Sequence, residues 1–136
     1  MDEHIIGVGG VFLRAEKKQA LQDWYANSLD VSINDYGGHD FMWRRADNAD
    51  LFGRTVLGFF DPDSDYFEGP FMVNYVVRDL DRLLASLSER GIDEVKPRED
   101  YPYGRFAWIK DLEGRWIELW EPVYDAEENQ PPGDQG

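Results

Sequence analysis

Two stretches of the chain carry the same succession of apolar and polar positions. The apolar run Gly10-Val11-Phe12-Leu13 leads into Leu21, Trp24 and Tyr25 at helical spacing. Phe71-Met72-Val73-Asn74-Tyr75-Val76-Val77 leads into Leu80, Leu83, Leu84 and Leu87, an i, i+3, i+4, i+7 stripe that predicts an amphipathic helix. Downstream, each stretch repeats a second pattern: Phe-x-Trp, a loop closing on Gly-Arg, then a strand-like run. Phe41-Met42-Trp43 reaches Gly53-Arg54 and Thr55–Phe59, and Phe106-Ala107-Trp108 reaches Gly114-Arg115 and Trp116–Trp120.

The first half thus reads as a strand at 6–15, a helix at 18–28 and strands at 31–36, 41–45 and 55–60, with Gly37-Gly38 as a turn. In the second, Asp79 supplies an N-cap and Gly91 a stop for a helix over 80–90, and a hairpin follows with strands 105–110 and 115–121 around Asp111-Leu112-Glu113-Gly114. The expected organisation is a first module over 1–61, a linker over 62–69, a second module over 70–122, and an acidic, disordered tail over 123–136. A module of about 60 residues is marginal alone, so the halves must pack together, within the chain or across a dimer. Duplicated strand–helix–strands units with helices on one sheet face leave the other face to enclose a cavity.

Composition narrows the functions open to such a fold. Of 136 residues, 28 are acidic and 14 basic, giving a net charge of −14. That balance excludes an electrostatic grip on nucleic acid or an anionic membrane, which needs clustered Lys and Arg. The tail supplies four of those negative charges, so the charge is partly local. Aromatic residues make up 15%, too large a hydrophobic payload for a disordered acidic chain. Cysteine is absent, which removes disulfides, thiolate metal sites and cysteine nucleophiles. Met1-Asp2-Glu3-His4 lacks the basic and apolar segments of a signal peptide and no 18-residue apolar run occurs, so the expected location is the cytoplasm.

The segment Tyr103-Gly104-Arg105-Phe106-Ala107-Trp108-Ile109-Lys110-Asp111-Leu112-Glu113-Gly114-Arg115-Trp116-Ile117-Glu118-Leu119-Trp120-Glu121-Pro122 resembles the closing hairpin of the vicinal oxygen chelate superfamily, which includes glyoxalase I, bleomycin-resistance proteins and extradiol dioxygenases. Val77-Arg78-Asp79-Leu80-Asp81 and Trp24-Tyr25 resemble two further features of that family, and the likeness covers roughly residues 5–122. It implies an α+β fold of two tandem βαβββ modules whose strands form a U-shaped mixed sheet around a central site. In metal-using members four ligands come from four strands. Alignment of the helix junctions and Gly-Arg turns places those positions on Gly10, Leu57, Met72 and Glu118, of which Glu118 alone suits a hard or borderline divalent ion. One ligand of four disfavours a divalent metal cofactor.

Strand alternation puts Trp116, Glu118 and Trp120 on the cavity face and Ile117 and Leu119 on the helix face. A carboxylate between two indoles loses hydration, which raises its pKa and suits it to act as a general acid or base; equally, it is a retained carboxylate hydrogen-bonded to Arg14 or Asn74. Phe12, Phe41, Trp43, Phe106, Trp108, Trp116 and Trp120 are candidates for an aromatic pocket holding a flat or cationic ligand, or for ordinary core and dimer packing. Arg14 and Arg105 are candidate rim cations for a ligand carboxylate, or partners for nearby acids. Tyr103 belongs to a Tyr101-Pro102-Tyr103-Gly104 loop that reads as a lid or as a rigid connector. His4 and His39 fall in a ragged start and a Gly-Gly-His-Asp turn, where both are expected to face solvent.

The functions compatible with these features are metal-independent binding of a small planar or amphipathic molecule by a homodimer, a lyase, isomerase or dioxygenase that uses Glu118, and an interaction module whose pocket is filled.

Overall fold

The computed structural model describes residues 4–130. Strands β1 (Ile5–Arg14), β2 (His39–Arg44), β3 (Phe52–Phe60), β4 (Phe71–Val77), β5 (Glu99–Tyr101), β6 (Gly104–Lys110) and β7 (Trp116–Pro122) form one mixed sheet in the order β2-β3-β1-β4-β7-β6-β5. Helices α1 (Lys18–Leu29) and α2 (Leu80–Glu89) follow β1 and β4, as the periodicity predicts for an α+β fold. The modules meet inside the chain: β1 and β4 pair antiparallel at the middle of the sheet, with Gly10 opposite Asn74 and Phe12 opposite Met72. Within each module the first and last strands pair parallel, Gly10 beside Val56 and Asn74 beside Glu118.

Helix α2 follows its sequence signals. The Asp79 side chain accepts from the Arg82 amide at 3.1 Å, and Gly91 ends the helix at φ +78°. Leu80, Leu83 and Leu84 are buried against Val77, Ala107, Ile109 and Leu119, with Ile117 packed at the margin. Ile117 and Leu119 therefore lie on the helix side of β7, which sends Glu118 and Trp120 to the other. Helix α1 is less apolar. Its buried residue is Gln22, whose amide donates to the Gly37 carbonyl at 2.8 Å, while Trp24 stays half exposed.

Three expectations are corrected. Residues 31–36 do not form a strand, so the first module is βαββ. The Asn34 side chain accepts from the amides of Tyr36 (3.0 Å) and Gly38 (3.1 Å), and such local bonds compete with a sheet ladder. The segment 62–69 is more than a spacer, because Phe67 is buried with Met72 and Trp108 in a second core cluster and Tyr66 packs beside it. The expected disorder of the tail fails over 123–130, where a 3-10 turn, Glu127–Asn129, is tied back by Asn129, which donates to the carbonyls of Tyr103 (2.6 Å) and Val123 (2.8 Å). Residues 131–136 lie outside the described residues.

Among the described residues, no helix is long and apolar enough to cross a membrane.

Candidate functional site

The sheet face opposite α2 borders a cavity of about 280 Å³ lined by Phe12, Arg54, Phe60, Tyr66, Asn74, Tyr103, Phe106, Glu118 and Trp120 among others. An outer hollow of about 450 Å³ shares Phe12, Arg54, Val56, Phe60 and Tyr103 with it and adds Asn34, His39, Asp40 and Glu128. The pocket is thus open and aromatic. Phe60 and Tyr66 stack at 5.4 Å, Phe106 and Trp120 stack at 5.8 Å, and Phe12 meets Phe60 edge-on at 5.5 Å.

Glu118 is 1% exposed. Its Oε1 accepts from Asn74 Nδ2 at 2.6 Å, and its Oε2 accepts from Trp108 Nε1 at 2.9 Å and from the Tyr66 hydroxyl. Burial pushes the carboxyl above the usual range, and the hydrogen bonds from Tyr66, Asn74 and Trp108 work against that shift. Burial also raises the Tyr66 phenol, and the Glu118 charge adds to it, so Tyr66 stays a neutral donor. Oε1 keeps one acceptor site beyond the Asn74 bond.

The parallel ladders locate the four strand positions that would converge on a metal. They are Gly10, Val56, Asn74 and Glu118, not the set with Leu57 and Met72. Both alignments slip: Gly10 precedes α1 by eight residues whereas Asn74 precedes α2 by six, which misplaces Met72, and Val56 follows the Gly53-Arg54 turn one residue sooner than Glu118 follows Gly114-Arg115, which misplaces Leu57. Met72 is instead fully buried in the core, and Leu57 borders the outer hollow. The donor set is one carboxylate and one amide, and both carboxylate oxygens already accept from protein donors. Among the described residues no group of three or more His, Asp or Glu side chains is arranged to hold a metal ion. These residues do not fit a divalent ion.

Phe12, Asn74, Tyr103, Phe106 and Trp120 line the cavity, and Trp108 lies beside it with its indole N–H on Glu118. Trp116 borders a separate hollow beside the 62–70 segment. The Phe-x-Trp motifs do not face each other. Glu118 pairs with Trp108 and the equivalent Val56 with Asp40, so Phe41 and Trp43 are offset by an odd number and point to the other face. Phe41 is 45% exposed, and the Trp43 indole lies against Gly53 and donates to Thr55 Oγ1 at 2.9 Å.

Neither expected rim cation reaches the cavity. The Arg14 guanidinium is occupied by main-chain carbonyls of the 61–69 segment, those of Gly69 (2.9 Å), Asp61 (3.3 Å), Pro62 (3.1 Å), Ser64 (2.8 Å) and Phe67. Arg105 ion-pairs with Asp81 at 2.8 Å and Asp100 at 3.3 Å, which hold its pKa above the ordinary arginine value. His39 is half-buried rather than open, with Nδ1 2.7 Å from the Ser32 carbonyl. The Tyr101–Tyr103 loop is the turn of the β5–β6 hairpin, with the two rings stacked at 5.4 Å, an arrangement suited to a connector rather than a lid.

The sequence reading missed Arg54, Phe60 and Tyr66. Arg54 and Phe60 share the parity of Val56 along β3, a signal present in the strand pattern. Tyr66 sits in an Asp-rich, aperiodic segment and has no such signal.

Gly9 sets how closely β1 approaches the site. A Cβ there would fall 2.3 Å from Asn74 Oδ1, 2.9 Å from Val76 Cγ2 and 3.0 Å from the Trp120 ring. Gly9→Ala is expected to lower stability by about 1–3 kcal/mol and to displace Asn74 from Glu118. Chemical denaturation reads the first effect and a crystal structure the second; an unchanged unfolding midpoint would contradict the first and an unmoved Asn74 the second.

No family model matches the sequence, and no curated protein sequence matches it. Solved structures do. Methylmalonyl-CoA epimerase from Mycobacterium tuberculosis superposes with a TM-score of 0.62 at 18% identity, covering 90% of this chain and 92% of that one. A glyoxalase/bleomycin resistance protein/dioxygenase superfamily member from Vibrio splendidus 12B01 does so with a TM-score of 0.52 at 11% identity, covering 82% and 95%. The fold is that of the vicinal oxygen chelate superfamily. A Streptomyces coelicolor methylmalonyl-CoA epimerase variant in complex with 2-nitronate-propionyl-CoA shares this vicinal oxygen chelate architecture, with a TM-score of 0.62, 15% identity and coverage of 88% and 99%.

Proposed function

We propose that the protein is a cytoplasmic, homodimeric, metal-independent binder of a small planar or amphipathic molecule, held in the aromatic cavity above Glu118. The observation that carries this reading is the pairing of an open aromatic cavity with a buried carboxylate whose hydrogen bonds are met by Tyr66, Asn74 and Trp108. A cavity of about 280 Å³ suits a one- or two-ring molecule, and its stacked walls offer flat faces to one. Exposed Ile5, Val8 and Phe41 are apolar surface available to a second copy. An equilibrium binding screen of planar aromatic compounds, repeated with a chelator, tests the proposal. Binding is expected with affinities unchanged by the chelator; no ligand, together with stoichiometric divalent metal in the purified protein, would refute it.

A second reading is an enzyme with Glu118 as general base. The free acceptor site on Oε1 and the raised pKa favour it. It requires Glu118→Gln to abolish turnover while the fold persists, and equal activity in that variant would eliminate it.

A further inference from the structure

Arg54 is the only Lys or Arg lining either hollow among the described residues, and it borders both. Its guanidinium lies over the Trp120 ring, 5.3 Å from the centroid, and Trp120 is itself backed by Phe106 in a parallel stack. That layering holds the plane of the guanidinium relative to the cavity wall. Among the described residues, Asp40 is its ion-pair partner, through Nη1 alone at 3.2 Å. Arg54 Nε is buried with no hydrogen-bond acceptor. A buried N–H without an acceptor is costly, and the Nε edge is one of the two sides by which arginine takes both oxygens of a carboxylate.

We infer that the cavity's ligand is a planar acid, with its flat body between the Phe12, Phe60, Tyr66 and Phe106 rings and its carboxylate on the Nε edge of Arg54. The inference rests on the binding reading above and adds the ligand's charge and the group that recognises it. Glu118 lines the same cavity, but its carboxylate oxygens are engaged by Tyr66, Asn74 and Trp108, whereas the Arg54 Nε edge has no acceptor. Asp40, on the Nη1 side, holds the guanidinium in place without covering the Nε edge. The chain's overall negative charge repels an acid at long range, so the preference has to arise from this one contact inside the wall, where screening is weakest.

Isothermal titration at neutral pH with 2-naphthoate, 2-naphthylmethanol and 2-naphthylmethylammonium separates the possibilities, since the three share a ring system and differ in charge. The acid is expected to bind at least about tenfold more tightly than the alcohol, and the ammonium more weakly than either. Arg54→Gln should bring the acid-to-alcohol ratio near one. Arg54→Lys, which keeps the charge without the fork, should retain a reduced ratio, and circular dichroism confirms that both variants are folded. Equal binding of all three compounds, or a ratio unchanged in Arg54→Gln, overturns the acid preference and leaves the cavity a binding site. If none of the three binds, the binding reading falls and the acid preference with it.

Discussion

Glu118→Ala is expected to lower stability by about 4 kcal/mol, among the largest single-site effects in the molecule. Removing the carboxylate strands three donors at once, Asn74 Nδ2, Trp108 Nε1 and the Tyr66 hydroxyl, where stranded buried groups cost about 1–3 kcal/mol each and Tyr66 can recover water from the cavity. Glu118→Gln keeps the shape and one acceptor, so about 1–2 kcal/mol is expected there. Comparing wild type with Glu118→Gln across pH isolates the ionisation. The folded protein holds the Glu118 proton more tightly than the unfolded chain does, chiefly because of burial. Below the ordinary carboxylate range both states are protonated and the full contribution of Glu118 is present. As pH rises the unfolded chain ionises first, and stability is lost until the folded carboxyl ionises as well. Asp47, Asp81 and Asp111 have lowered pKa values and shift stability in the opposite direction, but they are common to both proteins and cancel in the difference. Urea titrations should therefore show wild type losing ground to Glu118→Gln with rising pH; a gap that moves the other way would mean that the fold selects the ionised form.

Arg14→Ala carries the second large effect, an expected loss of about 3 kcal/mol. One guanidinium gathers five carbonyls of the 61–69 segment, and hydrogen bonds to a charged donor contribute about 1.5–3 kcal/mol each before the freed carbonyls regain water. The consequence extends to the site, because the same segment carries Tyr66 to Glu118 and Phe67 into the core. Arg14 is thus a positioning residue for Tyr66. Hydrogen exchange should show the 61–69 amides losing protection in Arg14→Ala well beyond the rest of the sheet, with Arg14→Lys intermediate. Uniform loss of protection across the chain would instead assign Arg14 to general stability.

Much of this architecture is legible in the sequence because the sheet is built from alternation and α2 from a clean leucine stripe. The parity of β7 alone places Glu118 and Trp120 in the cavity. What the sequence conceals depends on register and on aperiodic chain. The Phe-x-Trp repeat suggests facing rings, yet an offset of an odd number of residues turns Phe41 and Trp43 away. Matching the helix junctions misplaces one of the four central positions, since the two strand-to-helix connections differ by two residues, and matching the Gly-Arg turns misplaces another by one. Arg14 and Arg105 carry the right chemistry for a ligand carboxylate, but tertiary partners far along the chain claim them first. Arg54, hidden in a Gly-Arg turn motif shared by both halves, is the arginine that lines the cavity among the described residues.

The β1–β4 ladder has a kinetic implication. Gly10, Val56, Asn74 and Glu118 come from both halves of the chain, and the cavity wall draws on both, so the binding site is completed only when these sequence-distant segments have docked. Contacts of such long sequence separation are formed late and at high entropic cost. Occupancy of the cavity and closure of the central seam are therefore linked, and a ligand that fills the one acts as a clasp on the other.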